Sequence, residues 1–88
     1  MHEKALMDDL VRKLESVALE EGGTRVLKVR VHLGALLHFT PEHFREHFLD
    51  AARGTLAEGA EGETELGTNP TDPRAQGVVL ETVELDVA

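Results

Sequence analysis

The interval at which apolar residues recur changes at Gly22-Gly23, and no other feature constrains the fold of this chain as tightly. Before the glycines, Leu6, Met7, Leu10, Val11, Leu14, Val17 and Ala18 recur at spacings of three and four between Glu3 and Glu21. That is the repeat of an amphipathic helix with one buried stripe. Glu3, Asp8 and Asp9 lie toward its positive N-terminal end, and the glycine pair supplies a left-handed stop. After the glycines, Leu27, Val29, Val31 and Leu33 alternate with Lys28, Arg30 and His32. Alternation predicts a half-buried strand from about Arg25 to Leu33, apolar on one face and basic on the other.

Gly34 breaks that strand, and Thr40-Pro41-Glu42 announces a second helix, with Thr40 as N-cap and Pro41 at the first helical position. Phe39 is placed to pack on Phe44 as a hydrophobic staple. Phe44, Phe48, Ala51 and Ala52 form the apolar face, and Gly54 ends the helix. The three aromatic residues of the chain all fall in this segment, which marks them as core rather than as a stacking platform. From Ala57 to Gly77 the chain is rich in Gly, Glu, Pro and Thr, with a brief strand expected around Glu63 to Leu66 and turns at Asn69-Pro70 and Asp72-Pro73. Val78 to Val87 reads as a final strand. Its apolar parity shifts between Leu80 and Val83, which predicts a bulge or a change in burial there.

The order helix, strand, helix, weak strand, strand predicts an α+β two-layer domain, two helices packed on a small two- or three-stranded mixed sheet. At 88 residues the chain makes one domain that buries only about three fifths to two thirds of its unfolded surface. The formal charge of −8 argues against nucleic acid or an anionic membrane as the main partner. With no cysteine, thiolate nucleophiles, disulfides, iron–sulfur clusters and Cys-based zinc sites are excluded. No basic n-region with an apolar h-region opens the chain, and no apolar run approaches bilayer length, so a soluble cytoplasmic protein is expected.

The chemistry gathers on nitrogen ligands. The Met1 amine, the His2 backbone nitrogen once a metal displaces its proton, and the His2 imidazole form fused chelate rings, with Glu3 as a fourth donor through its backbone nitrogen or carboxylate. Nitrogen-rich tetragonal sites suit Ni(II) or Cu(II), whereas Zn(II) prefers tetrahedral surroundings. Initiator methionine is usually trimmed only before a small residue, so Met1 is expected to survive ahead of His2. His43 and His47 stack one turn apart on the second helix, with Glu46 and Asp50 on the same side, a spacing that accepts a divalent ion but needs a third ligand. His32 on the basic strand face and His38 in the loop before the second helix are further candidates for approaching the terminus. Ser16, the lone serine, lies inside a helix without a nucleophile-elbow context. No glycine-rich phosphate loop and no distinguished carboxylate pair is present, so nothing favours an enzyme.

Taken together, Met1-His2-Glu3, Leu6-Met7, Arg25-Val26 through Val31, Gly34-Ala35-Leu36, Pro41-Glu42, Phe44, Phe48, Gly54-Thr55 and Glu58-Gly59-Ala60 closely resemble the hydrogenase nickel-incorporation proteins of the HypA/HybF family. The resemblance runs in register from residue 1 to about 60 and resumes at the final strand; Met-His-Glu and Gly34-Ala35-Leu36 are its most distinctive parts. It implies a nickel metallochaperone that hands Ni(II) to a [NiFe]-hydrogenase large-subunit precursor with a partner GTPase, and in some organisms serves urease. By the same resemblance His2 is the nickel ligand, completed by the Met1 amine and Glu3. Family members also carry a zinc domain on two Cys-x-x-Cys pairs inserted between the last strands. This chain holds no cysteine, and residues 62–77 offer only a turn-rich segment at that point, so no zinc site is expected.

Two functional readings follow. In one, the chain is a single HypA-like nickel-binding domain that assists nickel insertion without zinc, with Met1, His2 and Glu3 as ligands and His38, His43 and His47 as weaker candidates. In the other, it is a metal-independent interaction module that docks a hydrogenase subunit or maturation factor. A DNA-binding metal sensor is disfavoured by the charge.

Overall fold

The computed structural model describes residues 2–37 and 40–87, with side chains described from Lys4 onward. Helix α1 spans His2–Glu20, and its stripe of Met7, Leu10, Val11, Leu14 and Ala18 is buried while Leu6 and Val17 are half-buried. Gly22 takes φ 71°, the left-handed region that stops the helix and turns the chain into strand β1, Gly23–Leu33. Helix α2 runs Pro41–Ala52 as expected from its cap: the His43 N–H donates to Thr40 Oγ1 at 3.1 Å. Phe44 and Phe48 are buried with their rings stacked 5.7 Å apart. Each such ring contributes roughly 1.5–3 kcal/mol relative to exposure. The expected staple partner Phe39 lies outside the described residues.

Strands β2 (Glu61–Leu66) and β3 (Val78–Val87) flank β1 in a three-stranded mixed sheet of order β2-β1-β3. β2 runs parallel to β1 and β3 antiparallel to it. The parallel pairing requires a crossover, and α2 supplies it. Helix α1 packs on β1 and β3, α2 packs on β2, and the helices touch each other. Their stripes close over Val26, Val29, Val31 and Leu33 of β1, which completes the core. This is the expected α+β arrangement, with β2 starting at Glu61 rather than near Glu63.

The pairing departs from plain alternation at two instructive places. Val26 pairs with Leu85 and Lys28 with Glu84, so Leu27 is an extra residue on β1. The bulge reverses the parity ahead of it: Val26 enters the core and Leu27 is 38% exposed, which corrects the expectation that Leu27 shares a face with Val29, Val31 and Leu33. On β3, Thr82 pairs with Arg30 and Leu80 with Val31, leaving Glu81 as the extra residue. That bulge falls between Leu80 and Val83, where the sequence parity shifts.

The connection from β2 to β3 folds back on the end of β1. Gly34 N–H donates to the Gly77 carbonyl at 3.0 Å, Leu36 N–H to Ala75 at 2.8 Å, and Gly67 N–H to Leu33 at 2.8 Å. The approach is tight enough that a side chain at Gly34 would place its Cβ 2.2 Å from the Ala75 carbonyl oxygen. Gly34-Ala35-Leu36 is thus the seat on which the connection rests.

Candidate functional site

The amino-terminal candidates come first. His2 and Glu3 open helix α1, where the leading backbone N–H groups have no acceptor within the helix. Met1, the side chains of His2 and Glu3, and His38 lie outside the described residues. His43 and His47 stand on α2 with ring centroids 5.0 Å apart; His43 is exposed and His47 half-buried. His47 joins Asp50 and Ala51 of α2 and Lys4, Met7 and Asp8 of α1 around a cavity of about 420 Å³. Helix packing therefore brings His47 to the first two turns of α1. Lys4 Nζ donates to Asp8 at 3.0 Å, so that carboxylate already faces a cation.

The second concentration of polar groups lies on the sheet. Central strand β1 presents Lys28, Arg30 and His32, and the flanking strands answer with carboxylates. Lys28 Nζ is 3.2 Å from Glu63, Arg30 is 3.4 Å from Glu81 and 3.7 Å from Glu65, and Arg74 is 3.6 Å from Glu81. Hydrogen bonding to Glu63 raises the Lys28 pKa above its ordinary value. Arg74 also holds Asp72, whose carboxyl it pulls below the usual range. Opposite charges in adjacent registers stabilise the pairing, though exposed pairs contribute only about 0–1 kcal/mol each.

His32 sits among them in an unusual state. The sequence places it on the basic face of β1, and the structure buries it to 4% exposure because the β2–β3 connection folds over it. Its Nδ1 lies 3.2 Å from Glu65 Oε1, and its Nε2 is buried with no hydrogen-bond partner. Glu65 is its direct neighbour across the β1–β2 pairing, and the β3 bulge brings Glu81 to the same place. One ligand atom from each of His32, Glu65 and Glu81 falls within 4.8 Å of the others, the sole such trio among the described residues. Residue types alone could not reveal this trio, since its members are 16 and more positions apart and meet only through strand register. The parity shift at Leu80–Val83 was the one local signal of it.

The chain matches the sequence model of one family over residues 1–71, described as hydrogenase/urease nickel incorporation, metallochaperone, HypA. It is 42% identical over 60 residues to the hydrogenase maturation factor HypA of Methylocella silvestris, covering 68% of this chain and 53% of that protein. Against the factor of the same name from Archaeoglobus fulgidus it is 38% identical over 63 residues, 72% of this chain and 57% of the relative. With that of Pyrococcus furiosus the identity is 43% over 61 residues, 69% of this chain and 44% of the relative. The chain spans about half the length of the curated relatives it matches. That description is of a metallochaperone, not of a catalyst, and among the described residues no helix is long and apolar enough to cross a membrane.

Proposed function

This chain belongs to the HypA family of hydrogenase/urease nickel-incorporation metallochaperones, and from that premise we propose that it binds Ni(II) at its own amino terminus and delivers it to a [NiFe]-hydrogenase precursor in the cytoplasm. Nickel is cargo here. The observation that carries the reading is the intact Met1-His2-Glu3 inside the matched stretch, at the head of a helix whose first amides are not committed to helical hydrogen bonds. The Met1 amine, His2 backbone nitrogen and His2 imidazole chelate the ion, and Glu3 supplies the fourth donor. Such a nitrogen-rich tetragonal set selects Ni(II) or Cu(II) over Zn(II). His47, on the cavity beside the first turns of α1, has a lesser part with His43, and His38 precedes the same helix. Transfer takes place on the hydrogenase large-subunit precursor with a partner nickel GTPase. In this domain the connection after β2 occupies the place where the family resemblance puts a zinc module, and with no cysteine it is assigned no cysteine-based zinc site.

The test is a calorimetric or absorption titration of the untagged protein with Ni(II), since any tag ahead of Met1 removes the free amine. About one ion per chain is expected. His2→Ala deletes a direct ligand, and its loss of affinity should exceed the 10–100-fold typical of outer-shell partners. Equal binding by both proteins overturns the proposal. The charged sheet face that neither helix covers supports a second reading, a docking module that needs no metal. Its signature is capture of the hydrogenase precursor by His2→Ala as strongly as by the parent, with or without nickel.

A further inference from the structure

We infer that His32, Glu65 and Glu81 form a second metal site, for a divalent transition ion such as Zn(II), on the sheet face and independent of the terminal nickel site. The argument starts from an under-compensated burial. An imidazole that is 4% exposed has left water, yet it retains one contact, at 3.2 Å to Glu65, while its Nε2 has none. Burial of a polar group without good partners is unfavourable, and such a group in a native fold points to a partner such as an ion. Nδ1, the ring nitrogen that already faces Glu65, is the atom placed to take the ion, and a metal bond there would replace its single long contact while Nε2 on the far side of the ring stays as it is.

The geometry suits the ion. In tetrahedral coordination with bonds near 2.1 Å, neighbouring ligand atoms stand about 3.4 Å apart. Nδ1 and Glu65 Oε1 are already at 3.2 Å, and one ligand atom from each of His32, Glu65 and Glu81 lies within 4.8 Å of the other two. Each ligand comes from a different strand of one sheet, and the β3 bulge at Glu81 is a device that re-aims a side chain. One imidazole with two carboxylates fits Zn(II), Mn(II) or Co(II) better than Mg(II) or Ca(II), which favour all-oxygen sites. The ion has a way in, because the Glu65 and Glu81 side chains are 44% and 25% exposed.

Arg30 and Arg74 neutralise the carboxylates where no ion is bound. Their distances of 3.4–3.7 Å are at the long end for ion pairs, and both side chains are nearly half exposed. Pairs of this kind are weak, so the guanidinium groups can swing aside. They compete with the metal, and that gives the proposal an unusual signature: removing one of these cations should tighten metal binding.

The experiment uses the full chain carrying His2→Ala, which silences the terminal chelate, titrated with Zn(II) by calorimetry alongside thermal melting. One Zn(II) per chain is expected, with a melting temperature that rises on binding. Glu65→Gln and Glu81→Gln should each weaken uptake at least tenfold and abolish the thermal gain. Both positions reach solvent, so these variants fold even if a change at buried His32 does not. Arg30→Gln should tighten binding about tenfold, the order that Coulomb's law gives for removing a unit charge a few ångströms from a divalent ion in a high-dielectric setting. Absent uptake, or uptake indifferent to Glu65→Gln and Glu81→Gln, overturns the proposal. So does binding that is lost in His47→Ala instead, which would place the ion between the helices.

Discussion

The head of α1 and the open face of the sheet both gather metal-binding groups, but they assemble them by opposite means. At the terminus the donors are adjacent in the sequence, and two of them are backbone or terminal nitrogens. On the sheet they are side chains at positions 32, 65 and 81, brought together by one parallel register, one antiparallel register and a bulge. A site of the first kind needs little from the tertiary fold. A site of the second kind exists only while three strands stay paired. The two proposed sites thus differ in kind: one would present or release cargo at a helix end, and the other would depend on the order of the sheet.

The sharpest way to break this contrast is to damage the core and leave both ligand sets chemically intact. Phe44 is fully buried between α2 and the sheet and stacks on Phe48. Phe44→Ala should cost about 3–5 kcal/mol, a large part of what a domain of this size possesses. Denaturant unfolding reads that loss directly. Under conditions where the variant is mostly unfolded, Ni(II) affinity at Met1-His2-Glu3 should stay within about tenfold of the parent, while Zn(II) uptake by His32, Glu65 and Glu81 disappears. Parallel loss of both would mean that the terminal site also depends on the fold, and the contrast would fail.

A smaller perturbation acts at the seat of the β2–β3 connection. In Gly34→Ala the new Cβ would fall 2.2 Å from the Ala75 carbonyl oxygen and 2.3 Å from that of Arg74, both backbone atoms that cannot rotate away. Overpacking of this kind costs about 1–3 kcal/mol. The connection must lift, breaking the 2.8 Å bond from Leu36 to Ala75 and uncovering His32. Hydrogen exchange should quicken at the amides of residue 34 and Leu36, which donate to Gly77 and Ala75, and Zn(II) uptake should weaken, with Ni(II) binding unchanged. An unaltered exchange pattern would show that the close approach does not hold the connection down.

The same division explains what could be read from the sequence. Both helices, the Thr40 cap, the Gly22 stop, the order of elements and the β3 bulge are written in local spacing, and all appear where that spacing puts them. The proposed terminal chelate is likewise a local pattern, three residues in a row. Leu27 was misplaced because a bulge inverts parity without leaving a trace in residues that are all apolar or basic. His32 was placed on the basic face of its strand, and nothing nearby shows that the turn-rich segment after β2 folds over it. Its meeting with Glu65 and Glu81 depends on which strand sits in the centre of the sheet, a long-range fact that composition and periodicity do not carry.

The mildest test is titration with acid, and its sign follows from the carboxylates on the sheet face. Hydrogen bonding to His32, then to Glu81, lowers the Glu65 pKa below its ordinary 4.5, and Arg74 lowers that of Asp72 below 3.8. A depressed carboxylate binds its proton less readily in the folded chain than in the unfolded one. Its stabilising contribution is therefore complete above the ordinary value and fades as pH falls through the lower folded value. Metal-free parent protein should lose stability on acidification from about pH 4.5 downward, and Glu65→Gln should flatten that limb while leaving the region between pH 6 and 8 nearly unchanged. Because these groups are open to solvent, the effect is small and should shrink further in high salt. A parent and a Glu65→Gln variant with superimposable acid limbs would show that Glu65 is no more tightly held than a free surface carboxylate, and would remove the sheet face from the comparison with the terminus.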